Sequence, residues 1–128
     1  MDVTTELLQL NQRLLDSIAG GDWAAYQELC DPTLTAFEPE AVGQLVEGLE
    51  FHRFYFNLGG VRAPHHTTMA SPHVRLLGDV AVVAYVRLIQ RTAPDGTPLT
   101  LAFAETRVWH KQDGRWRHVH FHRSRPSG

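Results

Sequence analysis

One segment constrains this chain more than any other. Val80-Ala81-Val82-Val83-Ala84-Tyr85-Val86 is its longest purely apolar run, and it opens a strand-like stretch, residues 80–91. Strand alternation puts Ala81, Val83, Tyr85, Arg87 and Ile89 on one face and Val80, Val82, Ala84, Val86 and Leu88 on the other. A sheet with one wet face alternates apolar with polar residues, and this one does not. In 128 residues there is material for one layer of helices, so the second apolar face points to contact with another copy of the chain. The run is far too short to cross a membrane as a helix.

The flanking pattern sets the fold class. Leu7, Leu10, Leu14, Leu15 and Ile18 recur at spacings of three and four, a helical stripe that Gly20-Gly21 stops. Asp22 is placed to cap a second short helix bearing Trp23, Tyr26 and Leu29, which Asp31-Pro32 ends. A third helix is expected from about Glu47 to Phe56. Thereafter residues 66–76, 80–91, 99–111 and 115–124 read as strands, separated by Gly78-Asp79, Asp95-Gly96 and Asp113-Gly114. The expectation is one α+β domain over residues 1–128, its N-terminal helices packed on a strongly curved antiparallel sheet. The tail beyond His122 is polar and is expected to fray.

Composition removes several function classes. With 12 Lys+Arg against 14 Asp+Glu, the net charge of −2 argues against nucleic-acid binding by bulk charge. Cys30 is the single cysteine, so an intrachain disulfide and a multi-thiol zinc site are excluded, and a reducing compartment fits. The first residues have neither a basic nor an apolar signal region, and a cytoplasmic, membrane-free protein is expected. Eight histidines make a response to pH near 6 conceivable.

The candidate site comes from parity. Arg87, Arg107 and Arg123 lie on three successive expected strands and share faces with Tyr85, Trp109 and Phe121 respectively. If those neighbours face the helices, three guanidinium groups point inward and require carboxylates of the chain or a bound anion. Glu105 shares the face of Arg107, and Glu38 and Glu40 are further internal partners. His118, His120 and His122 alternate on the last strand and, by the same rule, share a face with Trp116. Two such histidines could share a metal ion, but a subunit interface or a wet surface explains them as well, and no cofactor is expected. Cys30 reads as a packing residue at a helix end.

Several long blocks resemble one family. Cys30-Asp31-Pro32, Thr35-Ala36-Phe37-Glu38-Pro39-Glu40-Ala41, Leu45-Val46-Glu47-Gly48 through Phe56, Glu105-Thr106-Arg107-Val108-Trp109-His110 and Val119-His120-Phe121-His122-Arg123-Ser124 are similar, in order, to the association (hub) domain of calcium/calmodulin-dependent protein kinase II. So are His66-Thr67-Thr68, Ala84-Tyr85-Val86-Arg87 and Asp113-Gly114-Arg115-Trp116. The resemblance implies the cone of the nuclear-transport-factor-2-like superfamily, and dimers that assemble into a ring. It also implies an interior pocket for a small carboxylate at Arg87, Arg107 and Arg123, with Tyr26 and His52 nearby. Val82, Ala84, Val86 and Leu88 are then the expected oligomer contacts. No kinase domain or calmodulin-binding segment is seen, so a free-standing hub is expected. The stretch Asn57–Pro64 is shorter than the family's loop and lacks its tryptophan, and Ala102-Phe103-Ala104 is more apolar than the family's polar run. The competing expectation is a dimeric small-molecule-binding protein, or an isomerase- or dehydratase-like enzyme using the same pocket with Tyr26 as donor and His52 as base.

Overall fold

A computed structural model describes residues 1–60 and 64–125. Helix α1 spans Val3–Gly20 and is capped by the Asp2 carboxylate, which accepts from the Thr5 N–H at 2.8 Å. It ends at Gly21, whose φ of 70° is a left-handed conformation that glycine adopts without strain. Helix α2, Trp23–Leu29, starts at Asp22, whose side chain accepts from the Ala25 N–H. Helix α3 covers Glu50–Asn57.

Six strands follow the order β2-β1-β6-β5-β4-β3: β1 Cys30–Phe37, β2 Val46–Glu47, β3 His65–Leu77, β4 Val80–Thr92, β5 Pro98–Gln112 and β6 Arg115–Ser124. The last four match the expected strands to within a residue or so. The β5–β6 turn has positive φ at both Asp113 and Gly114, the form that matches strand twist in tight hairpins.

Three expectations need correction. Asp31-Pro32 ends a helix as expected, but the chain continues as a strand, β1, which pairs in parallel with β6, so the sheet is not wholly antiparallel. Pro32 is tolerated because the register slips between Cys30 and Thr35, where the Asp31 carboxylate accepts from the Thr33 N–H at 2.8 Å. Second, Glu47 belongs to β2, and the third helix begins at Glu50. Third, His118, His120 and His122 do not share a face. The β5–β6 register pairs Val108 with His120 but Trp109 with His118, leaving Val119 as an extra bulged residue. The bulge turns Trp116 and His118 inward, then Phe121 and Arg123 inward, and sends His120 and His122 out. Among the described residues no group of three metal-ligating side chains converges.

The core lies between the sheet's inner face and the helices. Leu7, Leu14 and Leu15 of α1 meet Ala81, Val83 and Tyr85 of β4, with Leu34, Trp109 and Phe121 closing the layer. Buried Asn11 belongs to the same stripe and accepts the Trp109 indole N–H at 3.1 Å, satisfying both groups. A second bulge, at Ser71-Pro72 of β3, lies opposite Tyr85 and bends that edge of the sheet. The tail beyond Arg125 and residues 61–63 of the Asn57–Pro64 stretch lie outside the described residues. Among the described residues no helix is long and apolar enough to cross a membrane.

Candidate functional site

Register builds the floor of the site. Tyr85 of β4 and Arg123 of β6 are the direct cross-strand partners of Glu105 on β5, and Arg107 is the next residue on the same face. The Glu105 carboxylate sits at the centre. Its Oε1 accepts from the Tyr85 hydroxyl at 2.6 Å and from Arg107 at 3.0 and 3.1 Å. Its Oε2 accepts from Arg87 at 3.3 Å and lies 3.6 Å from the Arg123 guanidinium. Arg107, 1% exposed, is spent inside the protein: it also donates to the Tyr85 hydroxyl and stacks on the Phe121 ring at 4.3 Å.

The electrostatics follow from burial and charge together. Burial alone would raise the Glu105 carboxyl, but Arg107 and Arg87, with the Tyr85 and Arg107 hydrogen bonds, bring it down to about 2. Burial likewise opposes the charge on Arg107, and the Glu105 and Tyr85 contacts more than offset it. For Arg87 burial wins, aided by repulsion from Arg107 and Arg123, so its affinity for a proton is lowered despite Glu105. Arg87 is 6% exposed, and its Nε has no hydrogen-bond partner. The Nε of Arg123 is likewise without a hydrogen-bond partner, so Arg87 and Arg123 both keep donor capacity for an anion.

Above this floor is a cavity of about 340 Å³, a volume in the range of small-ligand sites. All five residues expected at a pocket line it: Tyr26 of α2, His52 of α3, Arg87, Arg107 and Arg123. Two of its carboxylates are already paired. Glu40 holds Arg123 with both oxygens, at 2.8 and 2.9 Å. Glu38 meets His52 Nε2 at 2.5 Å, and the buried His52 Nδ1 has no hydrogen-bond partner. Tyr26 packs on Phe56 and on His52, and burial raises its hydroxyl well above the ordinary phenol range. The internal-partner expectation thus holds for Arg107, while Arg87 and Arg123 are only partly satisfied, each with an unpartnered Nε.

Arg91, Arg125, Leu101 and Phe103, which are not among the expected site residues, also line the cavity, as does Ile89, which alternation places on the face of Arg87. The signal was available: Arg91 is four residues beyond Arg87 and so on the same face of β4. Away from the cavity, Val82, Ala84, Val86 and Leu88 lie on the outward face of the sheet, all half-buried. His118 is fully buried, its Nδ1 3.4 Å from the Cys30 sulfur and its Nε2 3.4 Å from Arg107. Burial pushes the Cys30 thiol up to about 12, consistent with a packing role.

Helices laid on one face of a bent six-stranded sheet, with a partly open, largely apolar pocket that holds several arginines between them, define an α+β domain with the nuclear-transport-factor-2-like fold. A superfamily member from Salmonella enterica shares that fold, with a TM-score of 0.77 at 24% identity, covering 97% of this chain and 91% of that one. Within the class, the chain belongs to the calcium/calmodulin dependent protein kinase II association domain family, whose sequence profile matches residues 3–127. It is 52% identical over 122 residues, 93% of its length, to the delta subunit of the rabbit (Oryctolagus cuniculus) type II kinase. It spans about a quarter of that relative, 23%. The hub homology domain of Chlamydomonas reinhardtii superposes with a TM-score of 0.92 at 50% identity, over 98% of this chain and all of that one. The association domain of the C. elegans kinase gives 0.90 at 48% identity, over 94% of each.

Proposed function

We propose that this chain is an oligomerisation hub in which dimers close into a ring, and that its arginine-lined cavity binds a small carboxylate. The observation that carries the hub reading is the outward face of β4, where Val82, Ala84, Val86 and Leu88 form an unbroken apolar row beside Ala102 and Val108 of β5. Family membership supports it, and closed symmetric assembly would hide a self-complementary face of this kind. Support for the carboxylate is the under-satisfied, buried Arg87 at the cavity wall. The free Cys30 thiol suits a reducing compartment such as the cytoplasm.

Light scattering behind size exclusion tests the assembly. The wild type is expected as one species of several dimers, and Val86→Asp, which places a charge on the outer face, as a dimer or smaller with its circular dichroism unchanged. A wild type that is a plain dimer would overturn the ring. Calorimetry tests the pocket: propionate is expected to bind, and Arg87→Gln to abolish the heat.

A second reading, an isomerase- or dehydratase-like enzyme, draws on one feature. His52 is held by Glu38 at the pocket wall beside Tyr26, the arrangement of a base with an orienting carboxylate. Proton abstraction next to a bound carboxylate would exchange that carbon's hydrogen with D₂O. Exchange seen by NMR and lost in His52→Gln would establish that chemistry in place of a passive pocket.

A further inference from the structure

Side-chain exposure rises through the ion network of the cavity. Glu105 and Arg107 are closed off from water, Arg87 is nearly so, Arg123 is 16% exposed and Glu40 is 29% exposed. The Arg123–Glu40 pair is thus the wettest link of the network, and partly exposed ion pairs exchange at little cost. The pairing is also one-sided. A single nitrogen of Arg123, Nη1, donates to both Glu40 oxygens, at 2.8 and 2.9 Å. Two parallel N–H donors would make the stronger, forked pair. Meanwhile the Arg123 Nε is buried without a hydrogen-bond partner, 3.6 Å from Glu105 Oε2.

Arg123 has other contacts that hold it in place. Its guanidinium carbon lies 4.5 Å from the centroid of the Phe103 ring, and its Nε faces the Glu105 carboxylate. Both contacts come from β5, the neighbouring strand, and both remain if Glu40 leaves. Glu40 comes from a different part of the chain, the 3-10 turn Pro39–Ala41 in the connection between β1 and β2. Local bonds brace that connection: the Ala41 N–H donates to the Glu38 carbonyl, Val42 to Pro39 and Gln44 to Ala41. Glu40 and Arg123 also line a second hollow of about 350 Å³ that includes Pro39 and Arg125, which gives a released Glu40 carboxylate hydrated room.

Building on the carboxylate-pocket reading of the preceding subsection, we infer that Glu40 is a built-in competitor that sets the affinity of the cavity: it occupies Arg123 as an incoming carboxylate would, and a bound carboxylate takes Arg123 over while Glu40 turns out to water. Arg87 and Arg123 approach the same oxygen of Glu105, so one ligand carboxylate lies within reach of both guanidinium groups. The exchange replaces one carboxylate by another on Arg123, so it selects for anions over neutral molecules of the same shape.

Calorimetry with propionate on the whole chain tests this, comparing the wild type with Glu40→Gln, a change of equal size at a partly exposed side chain that is expected to leave the fold intact. The variant is expected to bind propionate about tenfold more tightly, the size of one charge-assisted hydrogen bond set free. In a crystal structure of the wild-type complex, Arg123 is expected on propionate, with the Glu40 carboxylate turned away. Binding that is measurable in the variant alone supports the same exchange. Equal or weaker binding by the variant, or a complex in which Glu40 still holds Arg123, overturns the competitor and leaves the carboxylate pocket standing. If neither protein binds propionate, the pocket reading falls and the competitor with it.

Discussion

Replacing Glu105 with Gln is the perturbation that bears most directly on how the site is built. The carboxylate is 3% exposed and gathers Arg87, Arg107, Arg123 and the Tyr85 hydroxyl. Its fall from an ordinary value of 4.5 to about 2 corresponds to roughly 3 kcal/mol favouring the ionised form in the folded chain. Removing one member of a buried ion network costs a similar amount, about 3–5 kcal/mol, because the remaining charges stay buried and uncompensated. Glu105→Gln is therefore expected to lower the urea midpoint by about 2 M for a slope near 2 kcal/mol/M. Fluorescence of buried Trp109 and Trp116 reports the transition, at one fixed protein concentration because assembly couples to folding. Because the folded value lies below the unfolded one, the contribution is complete above about pH 4.5 and is lost as the pH falls toward 2. The wild type should lose its advantage over the variant in that window. The vacated charges should also accept an external anion: acetate at ten times its dissociation constant would restore about 1.4 kcal/mol, and chloride at equal ionic strength would not. A midpoint shift under about 0.5 M with an unchanged slope would refute the reasoning.

Three further outcomes are expected. Burial, and then Arg107, hold the His118 imidazole neutral well below its usual 6.5, whereas the unfolded chain takes up a proton there. Stability should thus fall as the pH drops below about 6.5, by up to about 1.4 kcal/mol per pH unit. His118→Phe should flatten that limb of a stability–pH curve, and an unchanged limb would count against a neutral His118. A Cβ on Gly60 would sit 2.3 Å from the Gly20 carbonyl carbon, in backbone that cannot rotate aside. Gly60→Ala should cost about 1–3 kcal/mol in a thermal melt, and a neutral result would mean that the two segments do not meet. Cys30 should resist a thiol-specific chromogenic reagent in the folded chain and react fully in urea; fast native reaction would contradict its burial.

How much of the site was legible depends on the element. The alternation of β4 and β5 is uninterrupted across the floor, so Arg87, Glu105 and Arg107 could be placed on one face from their numbers alone. Tyr26 and His52 could not: they came from family resemblance, since no local pattern says which helix residue will meet which strand. Arg91 obeys the same parity as Arg87, and the alternation of β4 alone places it on the inner face.

The sequence by itself determined what local periodicity and turn chemistry govern: the α1 stripe, the hairpins at Asp95-Gly96 and Asp113-Gly114, and the two apolar faces of β4. Only the tertiary structure decided β1, because Cys30–Phe37 has a proline and a register slip and becomes a strand by pairing in parallel with the far end of the chain. It alone decided the histidines as well. A bulge adds one residue to β6 at Val119 and reverses every side chain beyond it, which is why His118 is core, His120 and His122 face out, and Arg123 reaches the cavity. Such a reversal is set by which partner strand's hydrogen bonds are satisfied, and that is a property of the pair, not of either segment.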